Sequence, residues 1–314
     1  MRVLLRSVLL AAGFALAACS ATPGPSAAAC RPELAASLPL RIESDALLID
    51  ATINDRPAVM MVDTGSERML VTEEAQARFQ LPNDPHRTTT VLGVGGSVRR
   101  SNVLIRRLGI GGLDTEDVSS AVAGLGARHF SGFVAGVIGA DYLSLYDLEF
   151  DVPDSRLNLY RMPGCGERFR PPGAVADGTK LLRSTTNVMR TEMQVQNQRV
   201  MALLDTGAGR TTMTVQAAHR LGVTDGVLAA APEGRSAGAD GTPVAFHRHL
   251  FTDVDVGGQH LPEAWFAVSD VRITADVLLG VDWLRTRRVW VSYAAQRMFL
   301  LGPAGAGGKT ASAL

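Results

Sequence analysis

An apolar run that ends in Asp-Thr-Gly occurs twice in this chain, as Val59-Met60-Met61-Val62-Asp63-Thr64-Gly65-Ser66 and as Val200-Met201-Ala202-Leu203-Leu204-Asp205-Thr206-Gly207-Ala208. Each copy reads as a buried strand that delivers an acid, a hydroxyl and a glycine onto a turn. Two such turns set face to face would bring two carboxylates together. Carboxylates that close cannot both ionise, so one keeps a proton while the other accepts one, and a water between them can be activated without a metal.

The duplication extends well beyond these turns. Ahead of each aspartate lies a hairpin pattern, with Asn54-Asp55 and Gln196-Asn197 as the turn residues, nine residues before Asp63 and Asp205 at their first positions. Nine residues after each aspartate, Thr72 and Thr214 stand where an N-cap should, and Gly222 stands where the second short helix should stop. Val137-Ile138-Gly139-Ala140-Asp141-Tyr142-Leu143 matches Leu278-Leu279-Gly280-Val281-Asp282-Trp283-Leu284, at 76 residues from Asp63 to Gly139 and 75 from Asp205 to Gly280. Arg156 and Arg297 each follow, 15 residues past Asp141 and Asp282. Asp141 and Asp282 are therefore a second duplicated acid pair, and their place before an amphipathic turn assigns them to helix capping. Glycine-bearing hairpins are expected at Thr90 to Val98, with Gly93, Val94, Gly95 and Gly96 at the tip, and at Ser236 to Val244, with Gly238, Ala239, Asp240 and Gly241 at the tip.

Many short strand patterns, few long helical ones and 5% aromatic residues indicate an all-β protein built from two copies of one lobe. With 314 residues and 46% hydrophobic composition, two modest cores are affordable, and zero formal charge offers nothing to a nucleic acid. Residues 1–18 read as an export signal: Arg2 and Arg6 precede an apolar stretch, Ser7 to Ala18, that is too short to span a bilayer. Leu16-Ala17-Ala18-Cys19 resembles a bacterial lipobox, which would make Cys19 a lipidated residue in the outer membrane, facing the periplasm; ordinary signal-peptidase cleavage is the alternative. Residues 19–39 then form a tether. Cys30 and Cys165 remain as an even pair in an oxidising compartment, to be bridged or left as two buried thiols. The remaining boundaries are a first lobe at 40–162, a linker at 163–178, a second lobe at 179–302 and a tail at 303–314.

The paired Asp-Thr-Gly motifs, each followed about 75 residues later by an apolar-Gly pair, resemble the aspartic peptidases of the pepsin and retropepsin type, and Ile-Gly-Ala-Asp-Tyr-Leu with Leu-Gly-Val-Asp-Trp-Leu is most similar to the bacterial retropepsin-like proteins. The resemblance covers residues 40 to 302 and implies a bilobal acid-protease fold. It makes Asp63 and Asp205 the catalytic acids, holding the water that attacks a peptide carbonyl. Thr64 and Thr206 would bond across to the opposite turn, Gly65 and Gly207 would let backbone N–H groups reach the carboxylates, and Ile138-Gly139 with Leu279-Gly280 would back the turns. The two hairpins would close over an extended polypeptide substrate. Neither hairpin has the tyrosine of the pepsin flap, which places the chain on the retropepsin side. Retropepsins are usually dimers of one lobe; here one chain supplies both, so a monomer acting as a pseudo-dimer is expected, with pairing between chains as the alternative.

Two other classes compete. A groove-bearing binding module would have no use for two acids held in repulsion. A metal hydrolase would need ligands: His247 and His249 share a strand face without a third partner, and His-Glu-x-x-His is absent from the sequence. Neither metal nor cofactor is expected.

Overall fold

The computed structural model describes residues 30–93, 96–126, 128–237 and 243–303. The first half contains β1 (Glu33–Pro39), β2 (Arg41–Glu43), β3 (Ala46–Ile53), β4 (Arg56–Val62), β5 (Leu70–Val71), α1 (Glu73–Phe79), β6 (Asn83–Gly93), β7 (Gly96–Ile110), β8 (Leu113–Val122), β9 (Gly136–Ile138), α2 (Ala140–Leu143), β10 (Asp147–Asp151) and β11 (Arg156–Arg161). The second half contains β12 (Thr179–Arg183), β13 (Met189–Val195), β14 (Gln198–Leu204), β15 (Thr212–Thr214), α3 (Val215–Arg220), α4 (Asp225–Ala230), β16 (Glu233–Ala237), β17 (Pro243–Val256), β18 (Gln259–Ser269), β19 (Val277–Leu279), α5 (Val281–Leu284), β20 (Arg288–Ser292) and β21 (Arg297–Leu301).

The expected duplication is a duplication of topology. In the first lobe the strands run in the order β2-β3-β4-β9-β5-β8-β7-β6, closed by β3 against β7; in the second, β12-β13-β14-β19-β15-β18-β17-β16, closed by β13 against β17. Asn54 and Asp55, and likewise Gln196 and Asn197, adopt positive φ between 49° and 63°, the conformation a two-residue hairpin turn requires. Thr72 and Thr214 cap their helices as expected, accepting from the amides of Ala75 and Ala217 at 3.0 and 3.1 Å, and Gly222 follows α3 at φ 87°. Both glycine-bearing hairpins form, with Gly93 paired to Gly96 and Ala237 to Pro243. Their tips, Val94-Gly95 and Gly238 to Thr242, lie outside the described residues, as do Cys19 and the expected signal and tail beyond Pro303.

The lobes are joined by a sheet that neither half could build alone, in the order β1-β11-β10-β20-β21-β12. At its centre β10 and β20 pair antiparallel, Phe150 opposite Val289 and Glu149 opposite Trp290. The Glu149 carboxylate is buried there, accepting from Asn158, Tyr160 and the guanidinium of Arg288 on the other lobe. A buried charge with its partners all supplied is tolerable, and removing one partner would leave it costly. Residues 163–178 lie along this sheet rather than away from it: Phe169 packs tilted against Trp290 with ring centres 5.6 Å apart, and Ala174 bridges to Leu301.

The expected tether ends sooner than the sequence reading placed it. Glu33–Pro39 is β1, paired along β11, with Ala36 and Leu38 buried. In the second lobe β12 pairs with both β21 and β13; in the first lobe β1 and β2 divide that work, so the chain from residue 33 belongs to the folded lobe. The alternation Ala36-x-Leu38-x-Leu40 was the available signal. Cys30 and Cys165 are bridged, with Cα atoms 4.4 Å apart, fastening the entry to β1 against the exit from β11. Replacing both cysteines by serine should lower the unfolding free energy by about 2–4 kcal/mol while leaving the far-ultraviolet dichroism unchanged; equal urea midpoints for the two proteins under non-reducing conditions would refute a stabilising role.

Candidate active site

Each Asp-Thr-Gly turn is held from behind by its own lobe. Val62 and Leu204 end β4 and β14, and beside them in parallel register stand Ile138 and Leu279, all buried. The amide of Asp63 donates to the Ile138 carbonyl and that of Asp205 to the Leu279 carbonyl, both at 3.1 Å. A Cβ on Gly139 would lie 2.4 Å from the carbonyl carbon of Arg68, and one on Gly280 would lie 2.5 Å from that of Arg210. Glycine is needed at both places because the chain leaving the turn passes directly over it.

The acids of the second duplicated pair are not the N-cap residues: each accepts one amide in the first turn of its own helix, from Tyr142 at 2.9 Å and Trp283 at 2.8 Å, and each also serves this same crossing. Gly139 and Gly280 are the N-cap positions of α2 and α5. The carboxylates of Asp141 and Asp282 reach back to accept from the amides of Met69 and Thr211, each at 2.8 Å, so the helix start is tied to the strand that follows the Asp-Thr-Gly turn.

Across the lobes the two turns interlock through their threonines. The Thr64 hydroxyl donates to the Leu204 carbonyl at 2.7 Å and accepts from the Thr206 amide at 3.1 Å; the Thr206 hydroxyl donates to the Val62 carbonyl at 2.8 Å and accepts from the Thr64 amide at 3.0 Å. Thr64 is 1% and Thr206 0% exposed, so water offers these groups no substitute. Four bonds of this kind leave the separation of the turns little freedom.

The threonines set the aspartates against each other. Asp63 accepts from the amides of Gly65 and Ser66 at 2.9 Å, and Asp205 from those of Gly207 and Ala208 at 2.9 and 3.1 Å. Each carboxylate also presses on the glycine of the opposite turn: a Cβ on Gly65 would sit 2.4 Å from Asp205 Oδ1, and one on Gly207 would sit 2.2 Å from Asp63 Oδ2. Glycine thus does more than free the backbone; its bare α-carbon is the seat of the facing acid. Set against each other in this way, the two acids shift each other's proton affinity. Burial first, then the charge of Asp63 and the bond to it, pushes Asp205 up to about 8. Burial also raises Asp63, against the pull of the Ser66 and Gly65 amides, Asp205 and the cation Arg128. Two acids so coupled give up their protons in separate steps, so over an interval of pH the pair holds a single proton between them.

Arg128 is a residue the sequence reading did not single out. It lies in the segment 123–135 between β8 and β9, where its guanidinium donates to the Gly207 carbonyl and to the Met61 sulfur, the latter at 3.0 Å. Nothing in the repeat pointed to it. The histidines His247 and His249 sit on β17; His249 packs its ring edge on Phe251, and burial lowers its pKa. Among the described residues no cluster of three His, Cys, Asp or Glu side chains is suited to a metal ion.

Comparison with known proteins agrees with this geometry half by half. Residues 49–142 match a family model described as "Aspartyl protease", and residues 191–286 match one described as "gag-polyprotein putative aspartyl protease". No curated protein matches in sequence. Among solved structures, the aspartic proteinase from Irpex lacteus is similar at a TM-score of 0.49 and 12% identity, over 87% of this chain and 99% of that one. Each half of the chain is a retropepsin-like aspartyl protease domain with its own Asp-Thr-Gly turn, and the protein is an aspartic-type peptidase.

Proposed function

We propose that this chain is an endopeptidase in which Asp63 and Asp205 jointly activate one water for attack on a peptide carbonyl. The observation that carries the reading is the reciprocal threonine lattice, which brings the two acids into contact within one chain. Asp63, as the ionised member of the pair, takes a proton from the water; Asp205, whose pKa is pushed up to about 8, donates to the carbonyl oxygen as negative charge develops there. Because both acids come from one polypeptide, the working unit is a monomer. The substrate is an extended polypeptide segment, laid along the cleft between the lobes beneath the hairpins β6–β7 and β16–β17 and paired to them as an added strand.

The same reading places the enzyme at the cell envelope. Cys19 in its lipobox-like context would carry the lipid, and the Cys30–Cys165 bridge suits an oxidising compartment. Its substrates are then exposed, extended segments of envelope proteins.

Asp63→Asn or Asp205→Asn should each lower kcat by at least about a thousandfold on an unstructured protein substrate, because neither acid can take both proton roles. The melting temperature should hold or rise, since a repulsive pair is relieved. Full turnover by either variant would refute the shared-proton mechanism. The pH profile of kcat/KM should be bell-shaped, rising as Asp63 loses its proton above the ordinary carboxylate range and falling near pH 8 as Asp205 loses its own. A flat profile from pH 5 to pH 10 would contradict that assignment. Cys19→Ser should move the protein from the membrane fraction to the soluble fraction of the native host, and unchanged fractionation would argue against the lipid.

A further inference from the structure

A pseudo-twofold site has no reason of its own to prefer one acid as base. The two turns here are matched bond for bond, yet their surroundings are not. Residues 123–135 join β8 to β9 in the first lobe, whereas the corresponding connection in the second lobe, residues 270–276 between β18 and β19, is roughly half as long. The longer segment carries Arg128 across the lobe boundary, where its guanidinium donates to the Gly207 carbonyl and touches the Met61 sulfur two residues before Asp63. The strand register sets Val122 beside Val71 and Val268 beside Met213, so Ser269 answers to Ala123 and the shorter connection has no position that answers to Arg128; its one cation, Arg272, is exposed.

We propose that Arg128 is a positioning residue that breaks the equivalence of the pair, its charge fixing Asp63 as the carboxylate and leaving Asp205 as the proton carrier. This rests on the shared-proton reading above. The guanidinium is anchored at both ends, by Gly207 in one lobe and Met61 in the other, so its charge is fixed in place rather than mobile in solvent. Asp63 sits against Gly207, the glycine whose carbonyl the guanidinium binds, so burial raises the pKa of Asp63 and the cation opposes that rise.

Other charged groups approach this region from the packed elements. Glu74 on α1 shares with Arg128 a cavity of about 280 Å³, also lined by Thr72, Leu125, Phe130 and Phe133, and is the acid placed to draw the guanidinium away. His129 next to Arg128 is exposed, as are Glu67 and Arg68 beyond the first turn. Arg210, beyond the second turn, is directed to Asp45 at 3.8 Å. Arg210 also crosses the lobe boundary, but its partner there is the carboxylate of Asp45, whereas Arg128 binds the glycine against which Asp63 sits.

The test is direct titration of each acid by carbon-13 NMR of aspartate labelled at the carboxyl carbon. In an Asp205→Asn background Asp63 titrates alone, and in an Asp63→Asn background Asp205 does. Adding Arg128→Gln should raise the Asp63 titration by about half a unit or more and move that of Asp205 by clearly less, whereas Arg128→Lys, which keeps the charge, should leave Asp63 within about a quarter unit. In the otherwise native enzyme, Arg128→Gln should shift the acid limb of kcat/KM upward by the same amount. Equal shifts of both acids, no shift of either, or the same result for lysine as for glutamine would overturn the proposal. So would unfolding of both Arg128→Gln and Arg128→Ala, which would make the residue structural. The NMR readout needs no turnover, so a failure of the peptidase reading, seen as an inactive native chain, is distinguishable from a failure of this one.

Discussion

Two buried hydroxyls hold the rest of this molecule in register. Each threonine of the Asp-Thr-Gly turns gives its proton to a carbonyl of the other lobe and takes one from an amide of the other lobe. Removing either hydroxyl would orphan two backbone groups in a place water does not reach, which is dearer than the loss of an ordinary surface bond. The arrangement explains why an unfavourable contact persists at its centre. Two carboxyl groups against bare glycine α-carbons repel when both ionise, and the lattice around them, together with the proton they share, keeps them there.

Much of this was legible in the sequence because it is local and repeated. Asp-Thr-Gly behind an apolar strand, an apolar-Gly pair at nearly the same distance, two-residue turns nine positions upstream and threonine caps nine positions downstream are all short-range devices, and duplication makes each copy a check on the other. The cysteine pairing followed from parity, and the structure forms that bridge.

What escaped is long-range or asymmetric. The sheet β1-β11-β10-β20-β21-β12 draws strands from both halves, and no periodicity reports which strand will sit beside which. β1 was read as tether because small residues around it outweighed a short alternation of Ala36, Leu38 and Leu40. The N-cap positions are Gly139 and Gly280, two residues before Asp141 and Asp282. Their position before an amphipathic turn is compatible with capping, and only the folded chain shows the amides of Met69 and Thr211 arriving within reach. Arg128 had no repeat partner and no motif, so nothing marked it until the cross-lobe contact was visible.

These omissions share a physical origin that bears on how a duplicated lobe becomes a single machine. Symmetry supplies the two acids, but chemistry on a peptide bond needs an acid and a base, and identical turns cannot decide between them. The decision has to come from elements outside the repeat. In this chain those are the places where the halves diverge: the split of β12 into β1 and β2, the buried Glu149 to Arg288 contact in the joining sheet, and the longer β8 to β9 segment bearing a cation. The first two fix how the lobes meet. The third acts after they have met, because a charge bound to the glycine that seats Asp63 is felt strongly only where the protein has excluded most of the water. The repeated part of the sequence thus builds the pair, and the unrepeated part gives its members different work.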